Sequence, residues 1–264
     1  MNMYVMASER ILPIAGFPVL EATPKALASH LLCILRHQQK VTLLYANSNF
    51  IVKCKRLLRR MHDDSVIIVN DGVGMDIAAR MFHGRSFKAN LNGTDFTPYL
   101  FRESVRPLRV YLLGGRLDVV MKAAIHAEQA LGQIVVGYCD GYQGMQDPSL
   151  IDRINASGAE VLLVAMGNPM QEAWILEHRE RLTVPIVSGV GALFDFWAGD
   201  KPRAPRYVQR LRLEWLYRLC HEPRRLLRRY TVDVLVFFAD CFRYRKATAP
   251  TRVMQEIDPQ GKPQ

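Results

Sequence analysis

The chain has 264 residues, with 49% apolar side chains, mean hydropathy of −0.03, a net charge of +10 and a pI near 9.6. That composition excludes a disordered chain, favours anionic partners such as nucleic acid, anionic lipid or phosphorylated substrates, and leaves room for a sizeable core. Five scattered cysteines with no Cys-x-x-Cys pair argue against a disulfide framework or zinc ribbon and for reduced thiols in a cytosolic setting, and no stretch approaches the roughly 20 apolar residues of a membrane-spanning helix. No basic-then-apolar signal pattern opens the chain.

Short, β-branched apolar runs recur at Val41–Tyr45, Val66–Val69, Val110–Leu113, Ile134–Val136, Val161–Val164 and Pro185–Val187. Their near-continuous apolarity is that of strands buried on both faces. The segments between them read as helices; after Gly115, for example, Val120, Ala124, Ala127 and Leu131 fall on one face. The alternation predicts an α/β fold, a Rossmann-like, mainly parallel sheet with helices on both faces, plus a C-terminal helical appendage. We place the core at residues 1–200, a basic amphipathic appendage at 201–246 and a disordered tail, rich in Pro, Gln and Lys, at 247–264.

Ligands of such folds bind where strands end. Five consecutive strand ends carry glycine with polar residues: Asn70-Asp71-Gly72, Gly114-Gly115, Asp140-Gly141-Tyr142, Gly167-Asn168-Pro169-Met-Gln171-Glu172 and Gly189-Val-Gly191. Asp71, between a strand and a helix start, suits a helix cap and a general base equally. Asp95, in Asn92-Gly-Thr94-Asp95, is the weaker rival: Thr94 or Asp95 reads better as a cap before a helix from Phe96 to Glu103. Gly114-Gly115 can present backbone N–H groups to a phosphate at a helix N-terminus, yet the complete dinucleotide fingerprint and the Walker lysine are missing. No metal-ligand spacing stands out, and no cofactor is expected.

Nine arginines lie between Arg203 and Arg229, against Glu214 and Glu222 as acids. Arg218, Arg225 and Arg228 share a face if one helix runs through Pro223; alternatively Pro223 starts a new helix. The plainer reading is a solvated or lipid-facing basic stripe. Trp215, Leu216, Leu219, Leu226, Leu227, Tyr230, Val234, Phe237 and Phe238 supply apolar area beside them, either for packing or for the interfacial layer of an anionic membrane.

These motifs, together with Gly189-Val-Gly-Ala-Leu-Phe-Asp195-Phe196, Arg203-Ala-Pro205 and Glu214-Trp-Leu-Tyr-Arg218, resemble those of the WecG/TagA/CpsF glycosyltransferases from about Ile11 to Arg245. The resemblance implies a UDP-sugar donor, a polyprenyl-diphosphate-linked acceptor, inversion at the anomeric carbon, no metal requirement and a peripheral site on the cytoplasmic face of the bacterial inner membrane. It implies catalytic roles for Asp71 as base and for Gln171, Arg218, Arg225 and Arg228. Substrate binding is expected at Asn47, Asn49, Asn70, Asn90, Asn92, Thr94, Asp95, Gly114, Gly115, Asp140, Tyr142, Gly167, Pro169, Gly189, Gly191 and Asp195. Many teichoic-acid-type members have an arginine where Asn90 stands and Thr-x-Asn where this chain has Ala46-Asn47-Ser-Asn49. The pattern is more similar to the exopolysaccharide branch of xanthan-type glucosyltransferases. A UDP-N-acetylmannosamine transferase is the alternative, and a basic nucleic-acid-binding protein is the rival from another class; a homo-oligomer is compatible with either.

Overall fold

A computed structural model describes residues 10–205, 207–208 and 213–245, apart from the side chain of Arg225. The elements are β1 (Arg10–Ile14), β2 (Phe17–Glu21), α1 (Pro24–Arg36), β3 (Val41–Ala46), α2 (Ser48–Lys53), β4 (Val66–Asn70), α3 (Val73–His83), α4 (Gly93–Glu103), β5 (Arg109–Gly114), α5 (Leu117–Gln129), β6 (Ile134–Cys139), α6 (Leu150–Ala156), β7 (Val161–Ala165), α7 (Met170–His178), β8 (Ile186–Gly189), α8 (Leu193–Trp197), α9 (Glu214–His221), α10 (Pro223–Tyr230) and α11 (Val232–Arg245), with a 3₁₀ helix at Lys55–His62. The chain is thus α/β, and all six strands expected from the sequence form.

Eight strands make one sheet in the order β1-β2-β4-β3-β8-β7-β5-β6, parallel except for the β1–β2 hairpin. The hairpin is an addition to the sequence reading. Its two-residue turn, Ala15-Gly16, takes positive φ at both positions (49° and 88°), the geometry that matches strand twist. Ala-Gly is a weaker turn signal than Asn-Gly, so the hairpin is inconspicuous in sequence.

The sheet is covered on both faces, which explains the continuous apolar strands. On β3, Val41, Leu43 and Tyr45 join one apolar cluster, and Leu44 and Ala46 join the other. Helices α1, α4, α5 and α8 supply the first cluster with residues such as Leu27, Phe96, Val120 and Phe194. Helices α2, α3, α6 and α7 supply the second with Phe50, Met75, Ile154 and Ile175.

Helix α11 also belongs to that second cluster. Phe237 and Cys241 are buried there, and Asp240 pairs with Lys55 at 2.6 Å. The C-terminal segment therefore shares the hydrophobic core through α11, whereas α9 has no buried residue and α10 buries Leu226. Pro223 stands at the first position of α10, so two helices replace a continuous one and the face shared by Arg218 and Arg228 is interrupted. The expected tail, 247–264, lies outside the described residues.

Candidate active site

Strand register brings the site together. Ala46 of β3 pairs with Asn70 of β4, so the next residues, Asn47 and Asp71, emerge side by side. Leu44 and Val164 both register with Gly189, so the ends of β7 and β8 open at the same level. A cavity of about 830 Å³ lies over these four ends. Helices α9, α10 and α11 close its other side with Glu214, Trp215, Arg218, Leu226, Arg228, Arg229, Tyr230, Val234 and Phe238.

Asp71 is half-buried in the cavity floor. It does not cap α3, whose N-cap is Gly72 without a side-chain bond. Its Oδ2 accepts from Asn47 Nδ2 at 3.1 Å. The carboxyl is raised above its ordinary range, first by desolvation; the Asn47 hydrogen bond and the charges of Arg218 and Arg229 oppose the rise. Asn47 is spoken for on its other side. Its Oδ1 caps α2 by accepting from Phe50 N–H at 3.0 Å, and Arg229 Nη2 approaches it at 3.4 Å. Arg218 donates to Glu214 at 3.0 Å and lies over the Phe196 ring at 5.0 Å.

A second network underlies β7 and β8. Gln171, nearly fully buried, accepts through Oε1 from the N–H groups of Gly167 and Gly191, each at 3.1 Å. Its Nε2 donates to Glu172 Oε1 at 2.7 Å, and the same oxygen accepts from Asn168 Nδ2 at 2.7 Å. Asn49 donates to Asn168 Oδ1 at 3.2 Å, carrying the network to α2. Desolvation raises the Glu172 carboxyl despite these donors, and burial with the Glu172 charge pushes the Cys54 thiol up. A Cβ on Gly189 would stand 3.0 Å from Gln171 Nε2, closer than ordinary contact, so the glycine leaves room for the amide of this network.

Of the residues expected from sequence, the cavity is lined by Asn47, Asn49, Asp71, Asn90, Asn92, Thr94, Gly167, Gln171, Gly189, Gly191, Arg218 and Arg228. Asn90 accepts from Gly72 N–H at 2.6 Å, and Asn92, rather than Thr94 or Asp95, caps α4 by accepting from Asp95 N–H at 2.9 Å.

The others have different places. Asn70 is buried beneath the cavity and donates to Ala89 O at 2.8 Å. Asp95 pairs with Arg203, and Asp195 with Lys201 at 2.6 Å. Pro169 is the N-cap residue of α7. Gly114 and Gly115 are outside the cavity; a Cβ on Gly114 would meet Ala165 O at 2.2 Å, so close strand packing accounts for the first glycine. Asp140 accepts from the N–H groups of Tyr142 (2.8 Å) and Gly144 (3.1 Å), folding its own loop, and Tyr142 is exposed. The Arg225 side chain lies outside the described residues. Sequence reasoning missed Arg229, although it adjoins Arg228 in the same basic run, and the structural duties of Asn168 and Glu172 beside Gln171.

A model of the glycosyl transferase WecG/TagA/CpsF family matches residues 12–250. The chain belongs to this family. It is a glycosyltransferase, and the family implies a nucleotide-sugar donor and a lipid-linked acceptor. No helix among the described residues is long and apolar enough to cross a membrane, and no group of three His, Cys, Asp or Glu among them could hold a metal ion.

Proposed function

We propose that the protein is an inverting hexosyltransferase that moves glucose from UDP-glucose to a polyprenyl-diphosphate-linked glycan in bacterial exopolysaccharide assembly, at the cytoplasmic membrane face. The observation that carries the reading is the Asp71 carboxylate, held by Asn47 in the floor of a cavity that Arg218, Arg228 and Arg229 also line. Asp71 takes the proton of the acceptor hydroxyl as its oxygen attacks the anomeric carbon. The bond from that carbon to the UDP phosphate oxygen breaks on the opposite face, and the electron pair leaves with UDP. Arg218, Arg228 and Arg229 stabilise the charge that develops on the departing diphosphate, a task guanidinium performs with paired donors and without a metal. Gln171 acts through Gly167 and Gly191, holding the two strand-end turns in register for the nucleotide.

Support for the glucosyl branch comes from Asn90. It is engaged by the Gly72 N–H, in a position where teichoic-acid-type members carry arginine. The test is a panel of UDP-sugars with lipid-diphosphate glycan acceptors, read by mass spectrometry. Transfer from UDP-glucose with inverted configuration supports the reading. Transfer from UDP-N-acetylmannosamine alone replaces it with the teichoic-acid or enterobacterial-antigen type.

A further inference from the structure

Two apolar stripes leave the cavity together. On α3, Val73 and Ile77 line the cavity and Met81, a turn further on, is 50% exposed. On α11, Val234 and Phe238 line it and Phe242, a turn further on, is 54% exposed. Spacings of four residues put each trio on one helix face. The outer ends are in contact, since Phe82, the neighbour of Met81, packs edge-on against Phe242 at 4.9 Å. Eight residues of helix give the track a length of roughly 12 Å. The carboxylates of Asp76 and Asp233 also line the cavity, but each is one residue before a track position and so turned about 100° from it. Arg218, Arg228 and Arg229 line the same cavity, and Arg229 Nη2 reaches Asn47 Oδ1 in its floor.

We infer that this track is the binding site for the first isoprenoid units of the acceptor's carrier, with its diphosphate facing the guanidiniums. The inference rests on the proposed polyprenyl-diphosphate acceptor and names the residues that would receive its hydrocarbon. An anionic head with an apolar tail matches a cavity that guanidiniums line and whose exit is apolar. A bilayer surface could touch Met81 and Phe242 but could not enter as far as Val73 and Val234. A protein partner sealing the track would block the cavity that the acceptor hydroxyl must enter. Apolar enclosure makes each added prenyl unit strengthen binding until the track is full.

The test uses the full chain and a farnesyl diphosphate analogue with benzophenone at its distal end. After irradiation, mass spectrometry should locate the label on α3 and α11 around Met81 and Phe242. Geranylgeranyl diphosphate should displace it, and equal concentrations of inorganic diphosphate should not. Met81→Glu with Phe242→Glu should cut labelling about tenfold and raise the ratio of KM for long-chain to short-chain acceptors by a similar factor. Val105→Glu, at a 96% exposed position far from any assigned role, is the control and should change neither. Labelling elsewhere, equal displacement by anionic phospholipid vesicles, or an unchanged KM ratio would overturn the site. Track labelling without transfer from any UDP-sugar would leave the prenyl site standing and remove the glycosyltransferase chemistry assigned to the cavity.

Discussion

Asn47 and Asp71, the first residues past two adjacent parallel strands, are joined by a 3.1 Å hydrogen bond from amide to carboxylate. The bond fixes the orientation of the carboxylate, and Asn47 is itself held by its cap on α2. Sheet register thus aims the proposed base before any substrate arrives.

Asp71→Asn should keep the fold and UDP affinity and lower turnover by ~10²–10⁴. It should also change the pH dependence of stability. The Asp71 carboxyl is raised in the folded state, so its contribution to stability is present below its unfolded pKa and is lost as pH rises through the folded value. The asparagine variant escapes that loss. Calorimetric melting should therefore favour Asp71→Asn over the parent by more at pH 7 than at pH 4. A difference independent of pH, or near-normal turnover, would contradict the role.

Arg229 lowers the Asp71 carboxyl through its charge. Arg229→Gln should raise it further and move the acidic limb of the kcat/KM profile to higher pH. A limb that stays put or shifts to lower pH would separate Asp71 from that limb.

Six of the eight strands and the mainly parallel sense of the sheet were legible because buried strands write continuous apolar runs and their ends write glycine. The discrimination among those glycines was not legible. Gly189 and Gly114 look alike in sequence, yet one clears a side chain of the cavity network and the other clears a backbone oxygen. The interruption at Pro223 was left open by the sequence, since proline at a first helical position and proline within a helix read alike until the flanking backbone is seen. Arg229 was hidden within a charge run where helical phase decides which cation faces inward.

Gln171→Ala removes the shared acceptor of the Gly167 and Gly191 N–H groups and one donor to Glu172. Each buried group left unpaired costs about 1–3 kcal/mol. Lower melting temperature together with weaker UDP binding by calorimetry is expected. If UDP affinity holds while turnover alone falls, Gln171 acts on the reacting atoms directly.

Arg218→Lys keeps a charge but loses the planar fork that lies on Phe196. Turnover should fall nearly as far as in Arg218→Ala, with vesicle binding unchanged, and EDTA should leave the parent enzyme active. Activity abolished by EDTA and restored by Mg²⁺ would remove the metal-free mechanism.

The proposed membrane attachment is best probed by point changes, because cutting the chain before Lys201 would strip Phe237 and Cys241 from the core. Arg224→Glu with Leu227→Glu, both exposed on α10, should reduce sedimentation with anionic vesicles, each basic residue near the surface contributing about 1 kcal/mol. High salt should act in the same direction. Retention at high salt by the double variant would place the anchor elsewhere.

The anchoring of α11 gives the cavity's roof an unusual mechanical status. Helices α9 and α10 meet the sheet domain through a few contacts, Arg218 over Phe196, Arg229 to Asn47 and the buried Leu226, and are followed by a core-embedded helix. Contacts so few can release by local unfolding while the sheet stays intact, and the anchored α11 keeps the two helices close to the cavity. In hydrogen exchange, amides of α9 and α10 should open at a free energy well below that of β3 and β7, and α11 should follow the strands. Entry of a large amphiphile into the proposed acceptor site would then need only these few contacts to open, with the sheet left in place.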